Sequence, residues 1–93
     1  MSNSEQFKFN VNRVVLTRAA AEVLNGTQIY CGLQLHQLGN WGEICEEDRL
    51  ANEDALLNEG RLMSVYKTGN DIVFWIITEW DRSITTVLLP EDY

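Results

Sequence analysis

Ile72-Val73-Phe74-Trp75-Ile76-Ile77-Thr78 is an uninterrupted run of β-branched and aromatic residues, and it constrains the chain more than any other segment. Such a run suits a central strand with partners on both sides and cover on both faces. Upstream of it, Leu62, Ser64 and Tyr66 alternate with Met63, Val65 and Lys67, the two-residue period of a strand. Thr68-Gly69-Asn70-Asp71 between them supplies turn chemistry. Downstream, the polar Trp80-Asp81-Arg82-Ser83 leads into Ile84–Leu89, which Pro90 ends because it cannot donate to a ladder. The pattern predicts strands over 61–67, 71–79 and 84–89. Their short connections make them an antiparallel meander.

Three helices are expected ahead of the meander. Thr17 is placed to cap a short one over 18–25, where Arg18-Ala19-Ala20-Ala21-Glu22-Val23-Leu24 has high helix propensity and Asn25-Gly26 reads as its stop. Thr27 is the expected cap of a second over 28–38, with Ile29, Tyr30, Leu33 and Leu38 near a 3.6-residue period. Gly39-Asn40-Trp41-Gly42 breaks it. A third is expected over 43–59, starting at Glu43 or, with Asp48 as cap, a turn later, and stopping at Gly60. At the amino end, Phe7-Lys8-Phe9-Asn10-Val11 alternates and Val14-Val15-Leu16 forms a second β-branched patch. These fit either one strand broken at Asn12-Arg13 or one strand with an extended lead-in, available to a sheet edge. The fold class is therefore α+β, a sheet with helices on one face. The 93 residues make one domain, 1–93, with 1–6 as a flexible polar tail.

Charge narrows the function classes. Fourteen Asp and Glu stand against seven Lys and Arg, for a net charge of −7. That sign opposes direct nucleic-acid binding, which draws its affinity from cations meeting phosphates, and opposes an anionic membrane surface. Lacking a signal peptide and any long apolar run, the chain is expected to be cytoplasmic, with Cys31 and Cys45 reduced. Two cysteines outside a CxxC and a single histidine fall short of a structural zinc set, so no metal and no cofactor are expected.

Two groups of residues are candidates for function. One is a polar cluster of His36, Trp41, Glu79, Asp81 and Arg82. A histidine can act as general base, and two carboxylates beside an arginine can serve acid–base or ion-binding chemistry. The plain alternative is structural: a histidine at a helix C-terminus, a tryptophan packed against the sheet edge, and a turn closed by an ion pair. The second group is an acidic interaction face of Glu43, Glu46, Glu47, Glu53 and Asp54. It lies within a segment, 43–59, that holds seven carboxylates and one arginine, with a charge of −6. Carboxylates along a helix can imitate a phosphate backbone or simply keep a surface soluble. Trp75, mid-strand, is expected in the core.

His36 with Gly39-Asn40-Trp41-Gly42, Cys45-Glu46-Glu47-Asp48-Arg49 with Asn52, Gly60-Arg61, and Ser64-Val65-Tyr66 resemble a group of small bacterial proteins. The likeness is most specific in Trp75-Ile76-Ile77-Thr78-Glu79, Asp81-Arg82-Ser83, Thr85-Thr86 and Leu88-Leu89-Pro90-Glu91-Asp92-Tyr93. It covers residues 33–93, with a weaker match over 14–24, and Asn40 stands where the family pattern has Asp. These proteins are labelled plasmid-related proteins or type I restriction endonuclease subunit M. The resemblance implies a bacterial mobile-element setting, and marks His36, Trp41, Glu79, Asp81 and Arg82 as positions that match. A methyltransferase must hold a methyl donor and flip a base, and this chain has neither the glycine-rich donor loop nor an Asn-Pro-Pro tetrapeptide.

Three functions follow as expectations. The first is a non-catalytic interaction protein of mobile-element biology that binds a protein partner or itself. The second is an acidic DNA-mimicking inhibitor of a defence nuclease or restriction complex. The third is a small hydrolase or metal-dependent enzyme using Glu79, Asp81 and His36.

Overall fold

A computed structural model describes residues 6–93; most of the expected tail, 1–5, lies outside the described residues. Strand β1 (Arg13–Leu16) is followed by helices α1 (Arg18–Val23), α2 (Gly26–Gln37) and α3 (Glu46–Asn58). Strands β2 (Leu62–Lys67), β3 (Val73–Thr78) and β4 (Ile84–Leu88) come next, then a single 3-10 turn at Pro90–Asp92. The sheet order is β1-β4-β3-β2. β2, β3 and β4 form the antiparallel meander, with Trp75 opposite both Val65 and Leu88. β1 is parallel to β4, Val15 facing Thr86. Of the two amino-terminal patches only Val14-Val15-Leu16 with Arg13 becomes strand, and residues 7–11 run irregularly.

Local chemistry sets the helix ends. The Thr17 hydroxyl accepts from Ala20 N–H at 3.2 Å and starts α1. Asn25-Gly26 is not a stop followed by a Thr27 cap. Asn25 itself caps α2 in a reciprocal box, its Oδ1 accepting from Gln28 N–H and Gln28 Oε1 from Asn25 N–H. α2 therefore begins at Gly26. α3 begins at Glu46 and ends on Glu59 in the left-handed region, with Glu46, Glu47 and Asp48 at the positive end of its dipole.

All three helices lie on one face of the sheet. The main core joins Ala20 and Leu24 of α1 to Tyr66, Phe74, Ile76, Val87 and Leu89. A Cβ on Gly32 would stand 3.0 Å from the Phe74 ring, so glycine lets α2 settle onto β3. A second cluster joins Trp41, Ala55 and Leu62, with Phe9, Ile44 and Leu56 around it. The other face carries Met63, Val65, Trp75, Ile77, Thr86 and Leu88. Helices cover one face of the sheet, as expected. One expectation is corrected: Trp75 is not in the core between sheet and helices but half-buried on the far face. What covers that face, among the described residues, is the carboxyl-terminal turn, whose Tyr93 ring meets the Trp75 ring edge-on at 5.4 Å.

The free edge of β2 is sealed without a fifth strand. Val65 N–H donates to Trp41 O at 3.0 Å and Val65 O accepts from Glu43 N–H at 2.7 Å. Asn52 covers the next register position: its Oδ1 accepts from Met63 N–H at 3.1 Å and its Nδ2 donates to Met63 O at 2.7 Å. One side-chain amide thus replaces a paired peptide, which keeps an exposed edge from recruiting another chain. Gly42, at φ 78°, passes so close to Val65 O that no side chain fits there.

Candidate functional site

His36 sits in the last turn of α2, fully buried. Its Nδ1 lies 2.6 Å from Ser64 Oγ and its Nε2 2.9 Å from Thr78 Oγ1. Thr78 Oγ1 continues to Thr85 Oγ1 at 2.8 Å. The chain of polar groups crosses the sheet from β2 through β3 to β4. Ser64, Thr78 and Thr85 are also fully buried. Burial, with the Arg82 charge as a smaller cause, holds the imidazole pKa down at about 3. The neutral ring has one donor and one acceptor, and the flanking hydroxyls match both. Ser64 and His36 have the spacing of a nucleophile and its base, but no substrate reaches the hydroxyl.

Three of the five cluster residues converge on Phe9. The His36 ring meets Phe9 edge-on at 5.2 Å, Trp41 stacks on it at 6.4 Å, and the Arg82 guanidinium lies 5.7 Å from its centroid. Trp41 is buried, and its Nε1 donates to Glu53 Oε2 at 3.0 Å. Residues 8–12 are pinned above this cluster by Lys8 N–H donating to Gln37 O at 2.7 Å, Val11 N–H to Gln37 Oε1 at 3.0 Å, and Asn12 Nδ2 to Arg82 O at 2.9 Å.

Arg82 binds carbonyls rather than carboxylates. Nη1 donates to Gly60 O at 2.6 Å, with longer bonds to Trp80 O at 3.1 Å and Glu79 O at 3.2 Å, and Nη2 donates to Ala55 O at 2.9 Å. It ties the β3–β4 turn to the negative end of α3. The expected ion pair closing this turn is absent among the described residues. Asp81 instead accepts from the Ser83 hydroxyl at 2.7 Å and Ser83 N–H at 3.1 Å, which holds its carboxyl below the ordinary range. Glu79 points to the far face and meets Arg61 at 3.3 Å. Glu79 and Asp81 therefore stand apart from His36, and Trp80 is exposed.

The acidic residues have separate environments. Glu43 precedes α3 at the β2 edge, Glu46 holds Arg49 at 2.7 Å, and Glu53 turns inward to Trp41. Asp54 accepts from Asn58 at 2.9 Å, and Glu47 and Asp54 face outward. They do not make one continuous row of free carboxylates. Cys31 and Cys45 are free, exposed thiols. No group of three or more His, Cys, Asp or Glu side chains among the described residues could hold a metal ion, and no described helix is long and apolar enough to cross a membrane.

The far face holds a group that sequence reasoning missed. Arg61 Nη1 donates to the Tyr93 hydroxyl at 3.0 Å, with the guanidinium 5.9 Å from the ring centroid, and Tyr93 packs on Trp75. A trace of the buried network was present in the strand period: Ser64 shares its inward parity with Leu62 and Tyr66, and a polar residue there calls for a buried partner. The Arg61–Tyr93 contact joins residues 32 positions apart and leaves no such trace. Comparison with protein-family models, curated proteins and solved structures finds no match.

Proposed function

We propose that this chain is a non-catalytic interaction protein of bacterial mobile-element biology, and that it docks through the helix-free face of its sheet. The observation that carries this is the Arg61–Tyr93–Trp75 group, with Tyr93 71% exposed on top of it. Trp, Tyr and Arg are the residue types that dominate interface hot spots, because each offers a large rigid surface with a polar edge. The groups most capable of chemistry have architectural partners instead: His36 is neutral and enclosed, and Arg82 is committed to carbonyls. The mobile-element setting rests on the resemblance of residues 33–93 to plasmid-related proteins.

The test is an Arg61→Ala/Tyr93→Ala variant compared with the unaltered chain. Each is immobilised and exposed to host lysate at native protein level, and each is run in sedimentation velocity over a range of concentrations. A defined protein or a second copy retained by the unaltered chain and lost by the variant supports docking on this face. Strictly monomeric sedimentation with nothing specifically retained overturns it.

A further inference from the structure

The outward side of α3 is built like one half of a helix pair. Glu47, Leu50, Ala51, Asp54, Leu57 and Asn58 are all exposed. Their spacing of three and four residues is the seam that one helix presents to another. Leu50 is 54% exposed and Leu57 84% exposed. They stand seven residues apart, so both fall on one line along the axis, roughly 10 Å from each other at 1.5 Å per residue. On the same period Glu47 and Asp54 form an outward acidic row along one side of the leucines, while on the other side Glu53 turns inward to Trp41. Arg49 is the cation on this helix and is engaged by Glu46 at 2.7 Å. The inward side, by contrast, holds the buried Asn52 and Ala55.

From this arrangement we propose that the outer seam of α3 binds an amphipathic basic helix of a partner protein, with an apolar row flanked by lysine or arginine that meets Glu47 and Asp54. This rests on the reading of the chain as an interaction protein and adds a second surface to it, distinct from the Arg61–Tyr93 face. Charge decides the occupant. An acidic helix would bring like charges against Glu47 and Asp54 and a neutral one would leave them unpaired, while a basic one neutralises them as the leucines are covered. The apolar row also separates this surface from an imitation of DNA. A phosphate mimic needs carboxylates and gains nothing from two projecting leucines at its centre.

The probe is a synthetic 21-residue helix with leucine at heptad a and d positions and lysine at e and g. Controls are the same peptide with glutamate at e and g, and polylysine without leucine. Binding is read by fluorescence anisotropy at physiological salt. The unaltered chain is compared with Leu50→Ala/Leu57→Ala, with Glu47→Lys/Asp54→Lys, and with Arg61→Ala/Tyr93→Ala. The substituted α3 side chains are exposed, and circular dichroism checks that each variant remains folded.

The lysine peptide should bind the unaltered chain, and both α3 variants should weaken it by about tenfold or more, a change of about 1.4 kcal/mol or more. The Arg61→Ala/Tyr93→Ala variant should bind it unchanged. No binding, binding that survives loss of both leucines, or equal binding of polylysine or of the glutamate peptide would each overturn the proposal. A negative result here, with partner capture still dependent on Arg61 and Tyr93, removes the α3 surface and leaves the wider interaction reading standing.

Discussion

His36 Nδ1 and Ser64 Oγ lie 2.6 Å apart in the protein interior, with neither side chain reaching solvent. At the surface the same pair would be read as a base and its nucleophile. Here the ring's other nitrogen is bonded to Thr78, and its protonation is suppressed by burial and by Arg82. The geometry therefore acts on stability, with a definite pH dependence.

His36 is the chain's one histidine, so a histidine titration belongs to it. Its folded pKa of about 3 is below the unfolded 6.5. Between those values the unfolded chain holds the extra proton, so stability is full above pH 6.5 and falls as the pH drops toward 3. At pH 5 the loss is about 2 kcal/mol. Urea unfolding between pH 7.5 and pH 5 should show this slope, and a flat profile would contradict the neutral buried ring.

Arg82→Lys should destabilise the chain by about 2 kcal/mol although the charge is kept. A lysine ammonium cannot span Gly60 O, Ala55 O and the turn carbonyls at once. Arg82 also has φ 64°, where glycine is unstrained. Arg82→Gly should nevertheless be destabilised too, because the lost carbonyl bonds outweigh relief of the backbone. Denaturant midpoints of the two variants check both statements.

Asn52→Ala removes both amide contacts to Met63. The expected loss is about 2 kcal/mol, with greater self-association because part of the β2 edge becomes unpaired. Thermal melting reads the first effect and light scattering of the folded protein the second. Equal scattering from both proteins would mean that the 41–43 segment protects the edge by itself.

Thr78→Val keeps the shape of the side chain but strips a hydroxyl from the centre of the network. His36 Nε2 and Thr85 then lose a partner together. A cost of about 1–3 kcal/mol follows from leaving buried polar groups unsatisfied. The additional substitution Thr85→Val should cost less than it does in the unaltered chain, since its partner is already gone. A double-mutant cycle measures that difference.

The meander, the helix order and the α+β class were legible in the sequence because they rest on local physics. Alternation, turn residues and caps act over a few positions, and Thr17, the 68–71 turn and Pro90 each lie close to where they were expected. Asn25 misled because one residue can end a helix or cap the next, and the choice depended on Gln28 reaching back to it.

The candidate site was legible only by residue type. His36, Trp41 and Arg82 do meet, but around Phe9, from a segment read as strand. Glu79 and Asp81 do not join them. A period of two says that side chains alternate between faces, but not which face the helices will cover. That was decided by contacts across the chain: His36 with Ser64 at 28 positions, Asn12 with Arg82 at 70 positions, and β1 beside β4. Sequence patterns therefore determined the elements. Long-range packing determined which polar residues became structure and which aromatic residues were left facing outward.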